Sequence, residues 1–133
     1  VGDIAEICQL VHPSMGIITS VGPQHLDTFG TLTNVLNTKL ELAAAVKGKG
    51  PVFLNFDSVP LANHAPQQQV ISYGQEGVHY QLSDLRIDEN GSRFTVTAPD
   101  GQRQSFSTRL LGQANVQNIC GAIAVANTLD IPM

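Results

Sequence analysis

Two stretches, SMGIITSV at 14–21 and PVFLNF at 51–56, are short runs dominated by apolar and β-branched residues, without regular polar alternation. A strand with one wet face alternates, so an unbroken run is the pattern of a strand covered on both faces, as in a parallel sheet; a short buried helix fits the same pattern. Residues 3–10 before the first run carry Ile4, Ile7, Cys8 and Leu10 at helical spacing, and Pro13 stops that helix. Between the runs, residues 31–47 again repeat at three and four. Thr31 is placed as the N-cap, and the glycines of KGKG end the helix. A short, proline-broken helix is expected in DSVPLANHA, after the second run. Helix, strand, helix, strand, helix is the order of a parallel sheet with crossover connections.

The pattern changes after Pro66. QVISYG, HYQLSDLRID, SRFTVTA and RQSFSTRL alternate polar with apolar residues, and the Asn-Gly of ENGS and the Asp-Gly of APDGQ mark hairpin turns. The sequence then returns to helix at about 115–129, with Val116, Ile119, Cys120, Ile123 and Val125 on its apolar face. The expected architecture is a single α/β domain: an α/β part at 1–66, a small antiparallel β insert at 67–110, and a returning helix at 111–133. No internal repeat or low-complexity tract interrupts it.

With 133 residues, 42% of them hydrophobic and 14% charged, the chain has material for one core. Its net charge is −4, and its seven lysines and arginines are scattered along the sequence. That leaves no electrostatic footprint for nucleic acid or an anionic membrane. No apolar run reaches the roughly 18 residues that span a bilayer, and the first residues lack the pattern of a signal peptide. A cytoplasmic location is expected. Cys8 and Cys120 lie among apolar residues without CxxC spacing, which predicts two buried free thiols.

One residue disturbs this reading. At about 100° per residue, Leu32, Val35, Leu36, Leu42, Ala43 and Val46 fall in one arc of the second helix, and Lys39 lies near its centre. A lysine so placed extends its amine to an edge, pairs with a carboxylate such as Glu41 or Asp27, or loses its proton and does chemistry as a neutral amine. The loop before it, TSVGPQHLDTFG, follows the carboxyl end of a buried strand, where open α/β sheets place their ligands. His25 there has the chemistry of a metal ligand, with Asp27 two residues on to orient its ring or a metal-bound water. On its own, His-x-Asp in a loop is equally a solvated surface pair.

Taken together, ITSVGPQHLDTFGTLTNVLNTKLEL, FLNFDS and LLGQANVQNICGAIAVA resemble the central domain of the Mur ligases, ATP-dependent amide ligases of peptidoglycan precursor synthesis. FLNFDS is similar to the family's strand ending in Asn-x-Asp, and the third segment to its Gly-x-His-Asn-x-x-Asn helix start. The resemblance covers nearly the whole chain and implies part of a P-loop-type ATPase domain. It implies that Lys39 is carbamylated and, with His25, holds a second magnesium ion, a carbamate being an oxygen donor suited to a hard cation. It implies that Asn115 and Asn118 contact the adenine of ATP; either also serves as a helix cap. For the intact protein the implied substrates are a UDP-N-acetylmuramoyl peptide, activated as an acyl phosphate, and an amine such as D-alanyl-D-alanine.

Two positions depart from the family: Ser20 stands where many relatives have asparagine, and Ala114 replaces the histidine before Asn115. The chain also contains no GxxxxGK[ST] loop to cradle phosphates. The expectation is the latter part of a central domain, without ligase activity alone, working with N- and C-terminal domains that bind the UDP-sugar and close over ATP. Other readings are a different amide ligase of the superfamily, such as one acting on folylpolyglutamate, or a non-catalytic scaffold that kept the fold.

Overall fold

The computed structural model describes residues 3–19, 32–46, 48–58, 61–62 and 69–133. Three helices, α1 (Asp3–Val11), α2 (Leu32–Val46) and α3 (Gln113–Thr128), accompany six strands: β1 (Gly16–Ile18), β2 (Val52–Asn55), β3 (Val70–Gly74), β4 (Tyr80–Asp88), β5 (Gly91–Thr97) and β6 (Arg103–Thr108). The strands form one sheet in sequence order. β1 to β4 pair in parallel, and β4 to β6 are antiparallel.

Both apolar runs hold strands; β2 is covered on both faces, as its pattern requires, whereas β1, first in the sheet, buries Ile18 and leaves Ile17 36% exposed. In β2, Val52 and Leu54 point into a core with Ile18, Ala43, Val46 and Leu61, whereas Phe53 joins Tyr73, Phe94, Val116 and Cys120 on the other side. α2 thus covers one face and α3 the other. Burying a side chain such as Phe53 or Leu54 stabilises the fold by about 1.5–3 kcal/mol. α1 is tied to α2 by the Ala5 amide, which donates to Glu41 Oε1 at 3.1 Å. Against α3 the fit is close: a Cβ on Gly121 would lie 2.8 Å from Cζ of the Tyr73 ring.

The structure corrects the expected boundary of the antiparallel insert. β3, read as its first strand, pairs in parallel with β2 along its length and with β4 over Tyr73–Tyr80 and Gly74–Gln81. The polar residue that made QVISYG look half wet, Ser72, is buried and locally satisfied. Its amide donates to His79 Nδ1 at 2.9 Å, and its hydroxyl accepts from the His79 amide at 3.1 Å. Antiparallel pairing therefore begins at β4, and it continues the same sheet.

The expected hairpins form at both glycine turns. Asp88 Oδ1 accepts from the Asn90 amide at 2.8 Å, and Asp100 Oδ1 from the Gln102 amide at 2.9 Å. Gly91 has φ 142° and approaches the Thr108 carbonyl so closely that no Cβ fits. A bulge in β4 separates the register at Ser83 from that at Arg86, with Asp84 at φ 54°. It turns Leu85 toward the core beneath α3 and leaves Asp84 exposed.

α3 starts two residues earlier than its apolar pattern indicates, because Gly112 at φ 97° turns the chain into the helix. The expected N-cap of α2, Thr31, lies outside the described residues, as does most of the short helix expected in DSVPLANHA; Leu61 and Ala62 are helical. Both cysteines are free and buried.

Candidate functional site

Polar residues gather where β1, β2 and β3 end against the start of α3. Asn55 closes the wholly buried β2 and is itself only 2% exposed. A buried amide must find partners, and Asn55 Nδ2 donates to the Thr19 carbonyl at 2.8 Å and, more weakly, to Gln117 Oε1 at 3.4 Å. Its Oδ1 accepts the Asp57 amide at 2.9 Å. Asp57 in turn takes the Gln75 amide on Oδ1 at 3.0 Å and Gln117 Nε2 on Oδ2 at 3.4 Å. Gly74 (φ 150°) makes room: a Cβ there would sit 2.8 Å from Asp57 Oδ1.

This junction fixes the segment after β1, the ends of β2 and β3, and the first turns of α3 relative to one another. Asn115 and Asn118 stand on either side of Gln117 in sequence, and both are exposed. Three residues apart in a helix, they share a face. The side chain of Asn115 donates to the Leu111 carbonyl at 2.7 Å, reaching back over the turn that enters the helix. Neither caps α3: its N-cap is Gly112, without a side-chain hydrogen bond. Ala114 is exposed beside them.

Lys39 lies in the arc of α2 defined by the buried Thr38, Ala43 and Val46, is half-buried, and is engaged by a neighbouring group. His25, Asp27 and Ser20 lie outside the described residues. Among the described residues, no three His, Cys, Asp or Glu side chains come together as a metal site. Asp57 has both carboxylate oxygens occupied by amide donors.

Behind the junction, the thiol of Cys120 is pushed up to about 12, first by burial and then by the nearby Asp57 carboxylate. Burial, with Cys120 and Asp57 adding to it, raises the Tyr73 phenol too. The Tyr73 hydroxyl is buried without a hydrogen-bond partner. Both groups stay protonated and electrostatically silent at neutral pH. Sequence reasoning noted the Asn-x-Asp pattern but missed Gln117, whose only sequence signal is a polar residue between two asparagines at a helix start.

A mostly parallel sheet between helices, with polar side chains gathered at strand ends and at a helix start, defines an α/β domain of the kind that takes ligands at the carboxyl edge of its sheet. The chain belongs to the Mur ligase middle-domain family, whose model matches residues 1–126. It is 33% identical over 125 residues to the UDP-N-acetylmuramoyl-tripeptide:D-alanyl-D-alanine ligase of Bacillus subtilis, an alignment covering 92% of this chain and 26% of that protein. It is 28% identical over 126 residues to the UDP-N-acetylmuramate:L-alanine ligase of Myxococcus xanthus, covering 92% of this chain and 27% of that one. The fold superposes on the MurF ligase of Thermotoga maritima in complex with ADP, with a TM-score of 0.87 and 25% identity, over 99% of this chain and 31% of that one. The chain spans about a quarter of the length of these curated relatives.

Proposed function

We propose that this chain is the nucleotide-facing part of an ATP-dependent amide ligase that joins D-alanyl-D-alanine to a UDP-N-acetylmuramoyl peptide. The observation that carries the reading is the pair Asn115 and Asn118, both exposed at the start of α3 beside the strand ends and each offering an amide donor and acceptor. That chemistry suits the edge of an adenine. The similarity to the Bacillus subtilis ligase, over 92% of this chain, supports the choice of substrates.

In this reading the chain's own residues position and hold. Gln117 and Asn55 set the height of α3 against the sheet, so that Asn115 and Asn118 meet the base at a fixed distance from the strand ends. Asn55 also anchors the Thr19 carbonyl, from which the segment leading to His25 departs. Lys39, half-buried on α2, is the amine that takes up carbon dioxide in this reading. The resulting carbamate and His25, with Asp27 orienting the ring, would hold a magnesium ion. Magnesium, when bound, neutralises charge on the phosphates of ATP and on the acyl phosphate. The 133 residues alone lack a phosphate-cradling GxxxxGK[ST] loop and have no ligase activity.

The test is phosphate release by the intact parent protein with ATP, UDP-N-acetylmuramoyl tripeptide and a panel of amines. D-Alanyl-D-alanine is expected to support turnover; L-alanine or diaminopimelate in its place would redirect the assignment to another ligase of the family. Lys39→Ala should abolish turnover, with partial rescue by short carboxylic acids. Full activity of that variant without rescue would remove the carbamate.

A further inference from the structure

The cations scattered along the sequence are brought together by the fold. All four arginines of the chain, Arg86, Arg93, Arg103 and Arg109, belong to β4–β6 or to the residue that follows. Arg86 and Arg93 are direct partners across β4 and β5, so their side chains leave the same exposed face. Like charges so placed repel. Of the carboxylates of β4, Asp84 faces Arg103 at 3.6 Å, and Asp88, whose Oδ1 accepts the turn amide of Asn90, lines a cavity with Arg93 without forming an ion pair with it. Among the described residues, neither the Arg86 nor the Arg93 side chain has a hydrogen bond or ion pair.

The juxtaposition hangs on one residue. β4 and β5 run in register from Gln81–Thr97 to Ser83–Thr95. Continued unchanged, that register would set Leu85 opposite Arg93 and turn Arg86 toward the buried Ser92. The bulge at Asp84 advances β4 by one residue and puts Arg86 on Arg93. Ser107 is the β6 partner of Arg93, and Thr95 and Ser105 are linked beside it through their hydroxyls at 3.3 Å. These side chains bound a cavity of about 550 Å³, whose one carboxylate is Asp84. Arg93 also lines a second cavity, of about 410 Å³, with Arg109.

Two guanidinium forks on one face, with hydroxyls alongside, form a donor-rich, cationic surface. A carboxylate offers two oxygens and satisfies one fork, whereas a phosphate offers three or more and bridges both. We propose that the exposed face around Arg86 and Arg93 binds a phosphate group, either free or carried on a sugar. The anion pairs with both guanidinium groups, and Ser105 and Ser107 meet its remaining oxygens or the hydroxyls of the sugar.

The chain is titrated with inorganic phosphate and, separately, with glucose 1-phosphate at low ionic strength, reading backbone amide and arginine Nε–H resonances by NMR. Saturable shifts at Arg86, Arg93 and Ser107 are expected in both series, and the tighter series identifies the source of the phosphate. Arg93→Gln and Arg86→Gln should each weaken binding at least tenfold while keeping a dispersed spectrum, and Lys49→Gln should leave it unchanged. The proposal falls if these resonances do not saturate, if chloride at matched ionic strength moves them equally, or if both arginine variants bind like the parent chain.

Discussion

In β2 the neighbours Phe53 and Leu54 are 1% and 0% exposed, one beneath α3 and the other beneath α2; in β5, Phe94 is 2% exposed while its neighbour Arg93 stands open to water. One sheet therefore contains two kinds of strand. Where helices cover both faces, a polar residue survives inside a strand only with its partners at hand, as Ser72 does with His79, and at the strand ends Asn55 and Asp57 become a junction. Where one face is bare, polar residues line the whole strand and order themselves by cross-strand register. The parallel half holds chemistry at its edge, and the antiparallel half holds it on its face.

The largest effect that tests this contrast is loss of a doubly covered side chain. Phe53→Ala should cost about 3–5 kcal/mol, because the cavity is walled by sheet and helix and cannot collapse. Ile87→Ala, at a β4 residue 46% exposed, should stay within about 1 kcal/mol. Urea denaturation of the two variants measures both, and equal losses would erase the distinction between the halves.

Next in size is the junction. Asn55→Leu keeps the volume approximately but leaves the Thr19 carbonyl and the Asp57 amide without their partner. The expected cost is about 1–3 kcal/mol. Added mobility in the first turns of α3, measured by amide exchange at Gln117 and Asn118, should accompany it. Unchanged exchange would mean that the edge of the parallel half is not a single unit.

How far each half was legible follows from the same physics. VFLN announces a buried parallel strand because coverage on both faces leaves no alternation to hide it, and Asn90-Gly91 and Asp100-Gly101 announce hairpins because their turns demand those residues. β3 misled because Ser72 reads as a wet position while its hydroxyl and amide are consumed by His79. Gln117 could not be joined to Asn55 and Asp57 from sequence, since about 60 residues intervene and helix packing alone brings them together. Arg86 and Arg93 look scattered because their meeting depends on a one-residue bulge that no pattern marks. The proposed magnesium site stays at the level of the family resemblance, with Lys39 described and His25 outside the described residues.

Alkaline pH provides a smaller and more local probe of the covered half. The ordinary thiol ionises near 9, and Cys120 in the folded chain is pushed up to about 12. Below pH 9 the thiol is protonated folded or unfolded, so its full contribution to stability is present. Between 9 and about 12 the unfolded chain gives up the proton first, and stability falls as pH rises. The raised Tyr73 phenol acts with the same sign over a window beginning near 10. Cys120→Ala should flatten the first part of the fall in pH-dependent denaturation; an unchanged slope would assign it all to other groups.

The smallest effect belongs to the bare face. Arg103 and Asp84 meet at 3.6 Å with side chains 62% and 68% exposed, so Arg103→Gln should change stability by less than about 1 kcal/mol. Its effect on binding should be larger than its effect on folding, because it frees the Asp84 carboxylate in the cavity that Arg86 and Arg93 also line. The freed carboxylate would compete for the arginines and weaken phosphate binding, and Asp84→Asn in the same background should restore it. A stability loss as large as that of Asn55→Leu would instead mean that charge pairs on this face hold the sheet together, and the two halves would then differ in exposure without differing in what their polar residues do.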